Sequence, residues 1–137
     1  MSAAFIGDCS LTMAWCFSDE ATPRTSALLD RLAQEQMLVP SLWRLEVVNV
    51  LALAEKRGRI TSGQAIDFLA LLDALDIVAD EQSGVRAFAH FPSLCRQYGL
   101  TSYDATYLDL ALRTGLPLAT NDERLAAAAR VAGVTLL

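Results

Sequence analysis

The chain reads Leu116-Pro117-Leu118-Ala119-Thr120-Asn121-Asp122-Glu123-Arg124-Leu125 where a short apolar run passes directly into an Ala-rich helical pattern. The apolar run predicts a strand over residues 116–120, and the pattern predicts a helix over residues 123–132. The start of the chain has the same order, with a strand-like run over residues 3–7 followed by Asp8 and a helical pattern. Strands that alternate with helices predict βαβ units, so we expect an α/β fold with a mostly parallel sheet.

The length and composition predict a folded protein with one core. The 137 residues suit a single domain over residues 1–137, and 53% apolar residues with 20% charged residues exclude a disordered chain. No apolar run reaches the roughly 18 residues that a membrane span requires. The first residues lack the basic and long apolar regions of a signal peptide, so we expect a cytoplasmic protein.

Charge and cysteine content exclude several classes of function. The net charge of −5 counts against a large phosphate-binding surface and fits a small acidic site that meets phosphate through a metal ion. The three cysteines show no C-x-x-C pairing, and the single His90 excludes mechanisms that need two histidines. The mean hydropathy of +0.33 predicts an apolar surface that a second subunit or a partner covers.

Four acidic residues stand where a carboxylate is hard to explain as ordinary surface. Asp8 and Asp122 each follow the carboxyl end of a predicted strand, and such ends meet at one edge of a parallel sheet. Glu46 lies among leucines on one side of a predicted helix over residues 42–57, with Asn49 one turn further along. Asp104 lies in the first turn of another predicted helix, on the side that should face the sheet.

Each acid also has an ordinary structural explanation. Asp8 and Asp122 suit a turn or a helix N-cap, Glu46 suits a salt bridge at the edge of the core, and Asp104 suits the positive end of a helix dipole. Asp109 serves as an internal comparison, because it lies on the opposite side of its helix from Asp104. We expect it on a solvated face, paired with Arg113 four residues later.

Carboxylates that are brought together repel one another unless a cation lies between them. The four acids therefore predict a cage for a hard divalent metal ion. Thr120 and Asn121 are candidates for orienting neighbouring groups or waters, and Asn49 for contacting Glu46 or a phosphate. Glu20 is a candidate for the mouth of the same site.

Several segments, in this order, resemble PIN-domain ribonucleases, and specifically VapC-type toxins of bacterial toxin–antitoxin pairs. The segments are Asp8-Cys9-Ser10, Trp15-Cys16-Phe17 with Asp19-Glu20, Pro40 to Leu51, Gly99-Leu100-Thr101-Ser102-Tyr103-Asp104-Ala105-Thr106-Tyr107-Leu108-Asp109-Leu110-Ala111, and Pro117 to Leu125. The resemblance covers nearly the whole chain. One departure is Thr12-Met13-Ala14, where many relatives carry a basic residue and this chain has none.

The resemblance implies a PIN-like three-layer α/β/α sandwich with a five-stranded parallel sheet. It implies that Asp8, Glu46, Asp104 and Asp122 form the catalytic quartet, with Asp8 and Asp104 as the principal Mg²⁺ ligands and with Mn²⁺ able to substitute. It further implies an endoribonuclease toxin that leaves 5′-phosphate and 3′-hydroxyl ends. A homodimer and a cognate VapB-type antitoxin are the implied partners besides the RNA substrate.

Two other functions remain open from the sequence. One is a catalytically silent PIN-fold module that binds RNA or protein. The other is a phosphotransfer domain of the receiver type, although Lys56 is the only lysine and no lysine follows the last strands. For a nuclease, the candidates for contacting the RNA backbone are Arg44, Lys56, Arg57 and Arg59, and solvated helix-end charges are an equal explanation for each.

Overall fold

Strands and helices alternate along the computed structural model, which describes residues 2–137. The strands are β1 (Phe5–Gly7), β2 (Met37–Pro40), β3 (Ile77–Asp80) and β4 (Leu118–Ala119). The helices are α1 (Cys9–Cys16), α2 (Pro23–Arg31), α3 (Leu42–Lys56), α4 (Ser62–Ala74), α5 (Ser83–Tyr98), α6 (Ser102–Thr114) and α7 (Glu123–Val131), with a 3₁₀ turn at Ser18–Glu20. Within the described part of the chain, no helix is both long and apolar enough to cross a bilayer.

The four strands form one parallel sheet in the order β3-β2-β1-β4, which confirms the predicted α/β class. The chain builds β2 and β3 on one side of β1 and then places β4 on the other side. The pairing of Ile6 with Leu118 sets the register between β1 and β4. Where the strand order reverses in this way, the loops that follow the two strands separate and leave a crevice at the carboxyl edge of the sheet.

The predicted fifth strand is wrong, because the chain after α7 pairs with β4 through a single bridge. Leu136 pairs with Leu118, and the Leu118 N–H donates to the Thr135 carbonyl over 2.8 Å. The Arg24 side chain donates to the backbone oxygens of Thr120 and Leu137, over 3.0 and 2.8 Å. A side chain thus occupies the acceptors that a longer ladder would use, so the pairing ends after one residue.

Helix α6 is the central helix of the fold and carries Asp104. Every residue from 105 to 111 is buried, and the helix contacts β1, β2, α5 and α7. Its start is fixed by Thr101, whose Oγ1 accepts from the Asp104 N–H over 3.2 Å as an N-cap. Asp104 is therefore placed in the first turn of a helix that the core holds on all sides.

Helix α5 differs from the expectation of a break near Pro92, since it runs unbroken from Ser83 to Tyr98. A proline inside a helix removes one backbone hydrogen bond. Pro92 is exposed, and the Phe88 side chain one turn earlier is 98% exposed. On this face water can reach the carbonyl that loses its partner, so the helix continues.

The expected solvated position of Asp109 is also wrong, because Asp109 is only 4% exposed. Its carboxylate accepts two hydrogen bonds from Arg86 of α5, both of 2.8 Å, and one of 3.3 Å from Arg113. Arg113 donates in turn to Asp80 at the end of β3, over 2.5 and 3.1 Å. The predicted pair of Asp109 and Arg113 is present, but it belongs to a network of four charges that joins β3, α5 and α6.

Candidate active site

A cleft of about 330 Å³ opens at the carboxyl ends of β1 and β4, and all four candidate acids line it. The lining residues are Asp8, Cys9, Ser10, Met13, Phe17, Glu20, Glu46, Val50, Arg59, Asp104, Tyr107 and Asp122. The acids come from four different parts of the fold, namely the ends of β1 and β4 and the helices α3 and α6. We call this space the carboxylate cleft.

Asp8 is the most buried of the four acids, with 4% of its surface exposed. Its Oδ1 accepts from the Leu11 N–H over 2.9 Å and from the Ser10 hydroxyl over 2.7 Å. Its Oδ2 accepts from the Thr120 hydroxyl. Asp8 is therefore the N-cap of α1, as one explanation of the sequence expected, and its carboxylate is also fixed by two hydroxyl groups at the cleft wall.

Asp122 is held at the start of α7 in a similar way. Its Oδ1 accepts from the N–H groups of Arg124 and Leu125, over 2.9 and 3.1 Å, so it caps that helix. No donor within residues 2–137 reaches its Oδ2. Its own N–H donates to the Thr120 hydroxyl over 2.9 Å. The capping role thus uses one carboxylate oxygen and leaves the other available to the cleft.

Glu46 receives a hydrogen bond of 2.6 Å at its Oε1 from the hydroxyl of Tyr107. The buried residues of α3 are Trp43, Val47, Leu51 and Ala54. Glu46 is half-buried beside that stripe rather than within it, and it faces α6 instead of solvent. The expected alternative of a salt bridge is not what holds Glu46, because its partner is a neutral phenol.

The pKa values of three of the acids are raised, and burial is the largest cause for each. For Asp8 the hydrogen bonds of Thr120, Leu11 and Ser10 oppose this rise, and the charge of Asp122 adds to it. For Glu46 the Tyr107 hydroxyl opposes the rise in pKa, and the charges of Asp8 and Asp104 add to it. The pKa of Asp104 is raised further by Asp122 and Asp8. The Thr101 hydrogen bond and the charge of Arg124 oppose the rise for Asp104, but the balance of charge in the cleft remains negative.

Arg59 is the only base among the described residues that line the cleft, and it forms ion pairs with acids other than the four candidates. Its Nη2 donates to Asp19 over 2.8 Å and to Glu20 over 3.0 Å. Its guanidinium also lies 3.6 Å from the centroid of the Phe17 ring. Glu20 thus lies at the mouth of the cleft as expected, but it is paired with Arg59 rather than directed at the four acids.

The donors in the cleft suit a hard cation that keeps most of its water. Among residues 2–137 no three acidic, histidine or cysteine side chains are placed to hold one ion between them, so the carboxylates are not a closed cage. Mg²⁺ is commonly bound through one or two carboxylates and several waters. Carboxylate oxygens with raised pKa values and no basic partner fit such an ion, and Asp8 and Asp104 are candidate direct ligands.

Of the other residues that the sequence suggested for the site, some contact the carboxylate cleft and others lie outside it. Thr120 is buried and contacts Asp8, and the Asn121 N–H donates to Ser10 Oγ over 2.8 Å. Asn49 is exposed on α3 and lies outside the cleft. The basic candidates Arg44, Lys56 and Arg57 are exposed on the same helix or at its end, also outside the cleft.

Sequence reasoning missed Ser10 and Tyr107 as site residues. Ser10 gave a detectable signal, because a serine two residues after a strand-end aspartate is well placed to donate to that carboxylate. Tyr107 lies one turn after Asp104 on α6 and shares its side of the helix. Cys9 lines the cleft as well, where burial followed by the charges of Glu46, Asp8 and Glu20 raises its pKa to about 12, so the thiol is not a nucleophile at neutral pH.

Comparisons with known proteins agree on one family. The model of the PIN domain family matches residues 8–131. Ribonuclease VapC3, from two strains of Mycobacterium tuberculosis, is 33% identical over 105 residues, which are 77% of this chain and 74% of the relative.

Two solved structures share the fold. PAE2754 from Pyrobaculum aerophilum has a TM-score of 0.70 at 22% identity, with 93% of this chain and 86% of that chain covered. FitAcB from Neisseria gonorrhoeae has a TM-score of 0.61 at 19% identity, with 97% and 96% covered. The matched segment includes Asp8, Glu46, Asp104 and Asp122. The chain therefore belongs to the PIN domain family, and within it to the VapC type.

Proposed function

We propose that this protein is a metal-dependent endoribonuclease toxin that hydrolyses RNA phosphodiester bonds. The observation that carries the proposal is the carboxylate cleft, where Asp8, Glu46, Asp104 and Asp122 meet without a basic partner of their own. Its similarity to Ribonuclease VapC3 supports RNA as the substrate. We infer that residues 1–137 act as a single PIN domain.

Asp8 and Asp104 are proposed to bind Mg²⁺, or Mn²⁺ in its place, with Asp122 and Glu46 completing the acidic surface. When bound, the ion supplies charge neutralisation at the phosphoryl oxygens and lowers the pKa of an attacking water. Ser10 and Thr120 hold the Asp8 oxygens in place, and Tyr107 holds Glu46. Attack by water with departure of the 3′ oxygen leaves products with 5′-phosphate and 3′-hydroxyl ends.

The test is cleavage of a single-stranded RNA by the purified protein with Mg²⁺, with Mn²⁺ and with excess EDTA. We expect cleavage with either metal, none with EDTA, and none with Asp8→Asn. Asp30→Asn is the matched control, because Asp30 is exposed on α2. Cleavage that persists in EDTA would show that the mechanism does not need a metal ion. Full activity of Asp8→Asn would show that the carboxylate cleft is not the active site.

Exposed apolar residues on two surfaces support protein partners. On α3 and α4, Leu45 is 74% exposed and Ile66 is 66% exposed, and these helices border a cleft of about 300 Å³. This surface is our candidate for the cognate VapB-type antitoxin. On α5, Val85 is 82% exposed and Phe88 is 98% exposed, which makes α5 the candidate interface of a homodimer.

The two partner assignments are tested separately. For the homodimer, light scattering should give twice the chain mass, and Phe88→Ser should give the mass of one chain. For the antitoxin, co-expression with a VapB-type antitoxin should yield a complex that Leu45→Ser weakens while Phe88→Ser does not. A wild-type monomer at high concentration would contradict the dimer, and an unchanged complex with Leu45→Ser would contradict the α3 surface.

A further inference from the structure

A second cleft, of about 540 Å³, adjoins the carboxylate cleft, and Asp122 lines both. Ala126, Leu136 and Leu137 give this second cleft apolar surface, and Arg24, Asn121 and Arg130 give it polar groups. We call it the Arg24 cleft. A strand of RNA that places a phosphate at the four acids would reach this space with its next nucleotide, since the two clefts share a wall.

The guanidinium of Arg24 is held at all three of its nitrogens. Nε donates to the backbone oxygen of Leu137 over 2.8 Å, Nη1 to Asn121 Oδ1 over 2.7 Å, and Nη2 to the backbone oxygen of Thr120 over 3.0 Å. Guanidinium N–H groups lie in the plane of the group, so these acceptors fix the orientation of that plane. Arg24 is exposed, and a fixed, planar cation with an accessible face is a stacking platform for a nucleobase.

The side chain of Asn121 presents a hydrogen-bond donor beside this platform. Its Oδ1 accepts from Arg24, so its amino group is the part that remains for other contacts. No protein acceptor for that group is found among residues 2–137. The Asn121 N–H donates to Ser10, which itself contacts Asp8, so the amide is positioned relative to the carboxylate cleft.

We propose that the Arg24 cleft binds the base of the nucleotide that flanks the cleaved phosphate. The base stacks on the Arg24 guanidinium, and the Asn121 amino group donates to an acceptor on its edge. Arg130, which forms no ion pair within the described chain, contacts the following phosphate. Single-stranded RNA is recognised in this way, by stacking on planar side chains and by hydrogen bonds to base edges. This assignment rests on the proposed ribonuclease function.

The test compares cleavage preferences on a library of short single-stranded RNAs with randomised sequence, read by sequencing of the cleaved ends. Asn121→Asp keeps the acceptor for Arg24 but replaces the amino donor by an acceptor. Arg24→Lys keeps the charge but removes the planar surface. Asn49→Asp and Arg31→Lys are the matched controls, since Asn49 lies outside both clefts and Arg31 is on the same helix as Arg24.

We expect Asn121→Asp to change the base preference at one position next to the cut by about fivefold, the value of roughly one hydrogen bond. Arg24→Lys should change the preference at the same position by about fivefold or more, the value of stacking one base on a planar side chain. The controls should keep the wild-type profile. In an Asp8→Asn background, Arg130→Gln should reduce the salt dependence of binding to a fluorescein-labelled single-stranded RNA by about 0.7 in log–log slope, the contribution of one phosphate contact.

Arg24 also ties Thr120 to Leu137, so a purely structural role has to be separated from base binding. A structural role would slow cleavage of all sequences equally and lower the melting temperature. An unchanged base profile in Asn121→Asp and Arg24→Lys overturns the base-binding proposal and leaves the nuclease proposal intact. A wild-type protein that cleaves no member of the library overturns both.

Discussion

Tyr107 and Glu46 are joined by a hydrogen bond of 2.6 Å between α6 and α3, although they lie 61 positions apart in the sequence. Tyr107 is 2% exposed, so its hydroxyl depends on this single acceptor within the described chain. Burial is the main cause of the raised pKa of Tyr107, and the charge of Glu46 adds to it, so the phenol stays protonated as a donor. The bond therefore fixes the direction of one candidate catalytic carboxylate.

We predict that Tyr107→Phe lowers the rate of RNA cleavage by about 10- to 100-fold, the usual cost of removing a group that orients a metal-site carboxylate. Phenylalanine fills the same volume, so the core should remain packed. The measurement is the initial cleavage rate at saturating RNA, together with the melting temperature. Tyr103→Phe is the control on the same helix, because Tyr103 is 63% exposed. Equal cleavage rates for the two variants would show that the Tyr107 hydroxyl is not needed to orient the Glu46 carboxylate.

We predict that Asp104→Asn abolishes cleavage but stabilises the metal-free protein. Burial, followed by the charges of Asp122 and Asp8, raises the pKa of Asp104 in the folded state. A raised pKa means that the carboxylate costs stability at neutral pH, and the site is partly hydrated, so the gain should be at most about 1 kcal/mol, or roughly 3 °C in melting temperature.

The measurement is thermal unfolding in EDTA at pH 7, with Asp67→Asn on the exposed side of α4 as the control. Adding Mg²⁺ should raise the melting temperature of the wild type more than that of Asp104→Asn, because only the wild type keeps both carboxylates proposed as ligands. If the variant melts below the wild type in EDTA, repulsion between the carboxylates does not destabilise the folded protein.

The network around Asp109 predicts a pH-dependent contribution to stability. Burial alone would raise the pKa of Asp109, but the hydrogen bonds and charges of Arg86 and Arg113 outweigh it and lower the pKa below 3.8. The pKa of Asp80 is lowered chiefly by its hydrogen bonds from Arg113. A lowered pKa gives stability that is present above the unfolded value and is lost as the pH falls through the folded value.

We therefore expect Asp109→Asn to unfold at lower urea concentration at pH 7, with a loss of about 2 kcal/mol, the usual value of hydrogen bonds to a charged group. The difference from the wild type should shrink between about pH 4 and pH 2, since the wild-type carboxylate is then protonated too. Asp30→Asn should show no comparable difference at either pH. A gap that stays constant down to pH 2 would show that packing, and not charge, explains the loss.

A buried hydrogen-bond chain connects α3 to the end of β1. The Trp43 indole N–H donates to Thr12 Oγ1 over 2.9 Å, and that hydroxyl donates to the Asp8 carbonyl over 3.0 Å. We predict that Thr12→Val costs about 1–3 kcal/mol in urea unfolding, because the buried indole N–H loses its acceptor. Thr12→Ser keeps the hydroxyl and should cost less. An unchanged stability of Thr12→Val would show that the indole N–H does not depend on this acceptor.

The positions of the two acids at strand ends follow from a local pattern in the sequence. Asp8 and Asp122 come directly after apolar runs, and parallel strands bring such ends to one edge. The pattern predicts a helix over residues 42–57, and the structure has α3 over Leu42–Lys56. The pattern does not predict which residue forms a hydrogen bond with Glu46, because Tyr107 belongs to a helix that is distant in the sequence.

Two of the errors share a physical cause, which is pairing between groups far apart in the chain. Asp109 has the sequence context of a solvated helix residue, and only Arg86 from another helix makes its burial possible. The final residues have a strand-like composition, but the Arg24 side chain takes the backbone acceptors that a fifth strand would need. Long-range side-chain partners leave no periodic trace in a single sequence.

The contact between Asp8 and Thr120 spans 112 positions and has a consequence during synthesis. The ribosome releases Asp8 early, whereas Thr120 and Asp122 leave the exit tunnel only after almost every other element has been made. A nascent chain therefore cannot organise its acidic centre, however well its first helices fold. For the ribonuclease proposed above, this order of synthesis would keep the acidic centre incomplete while most of the chain is being made.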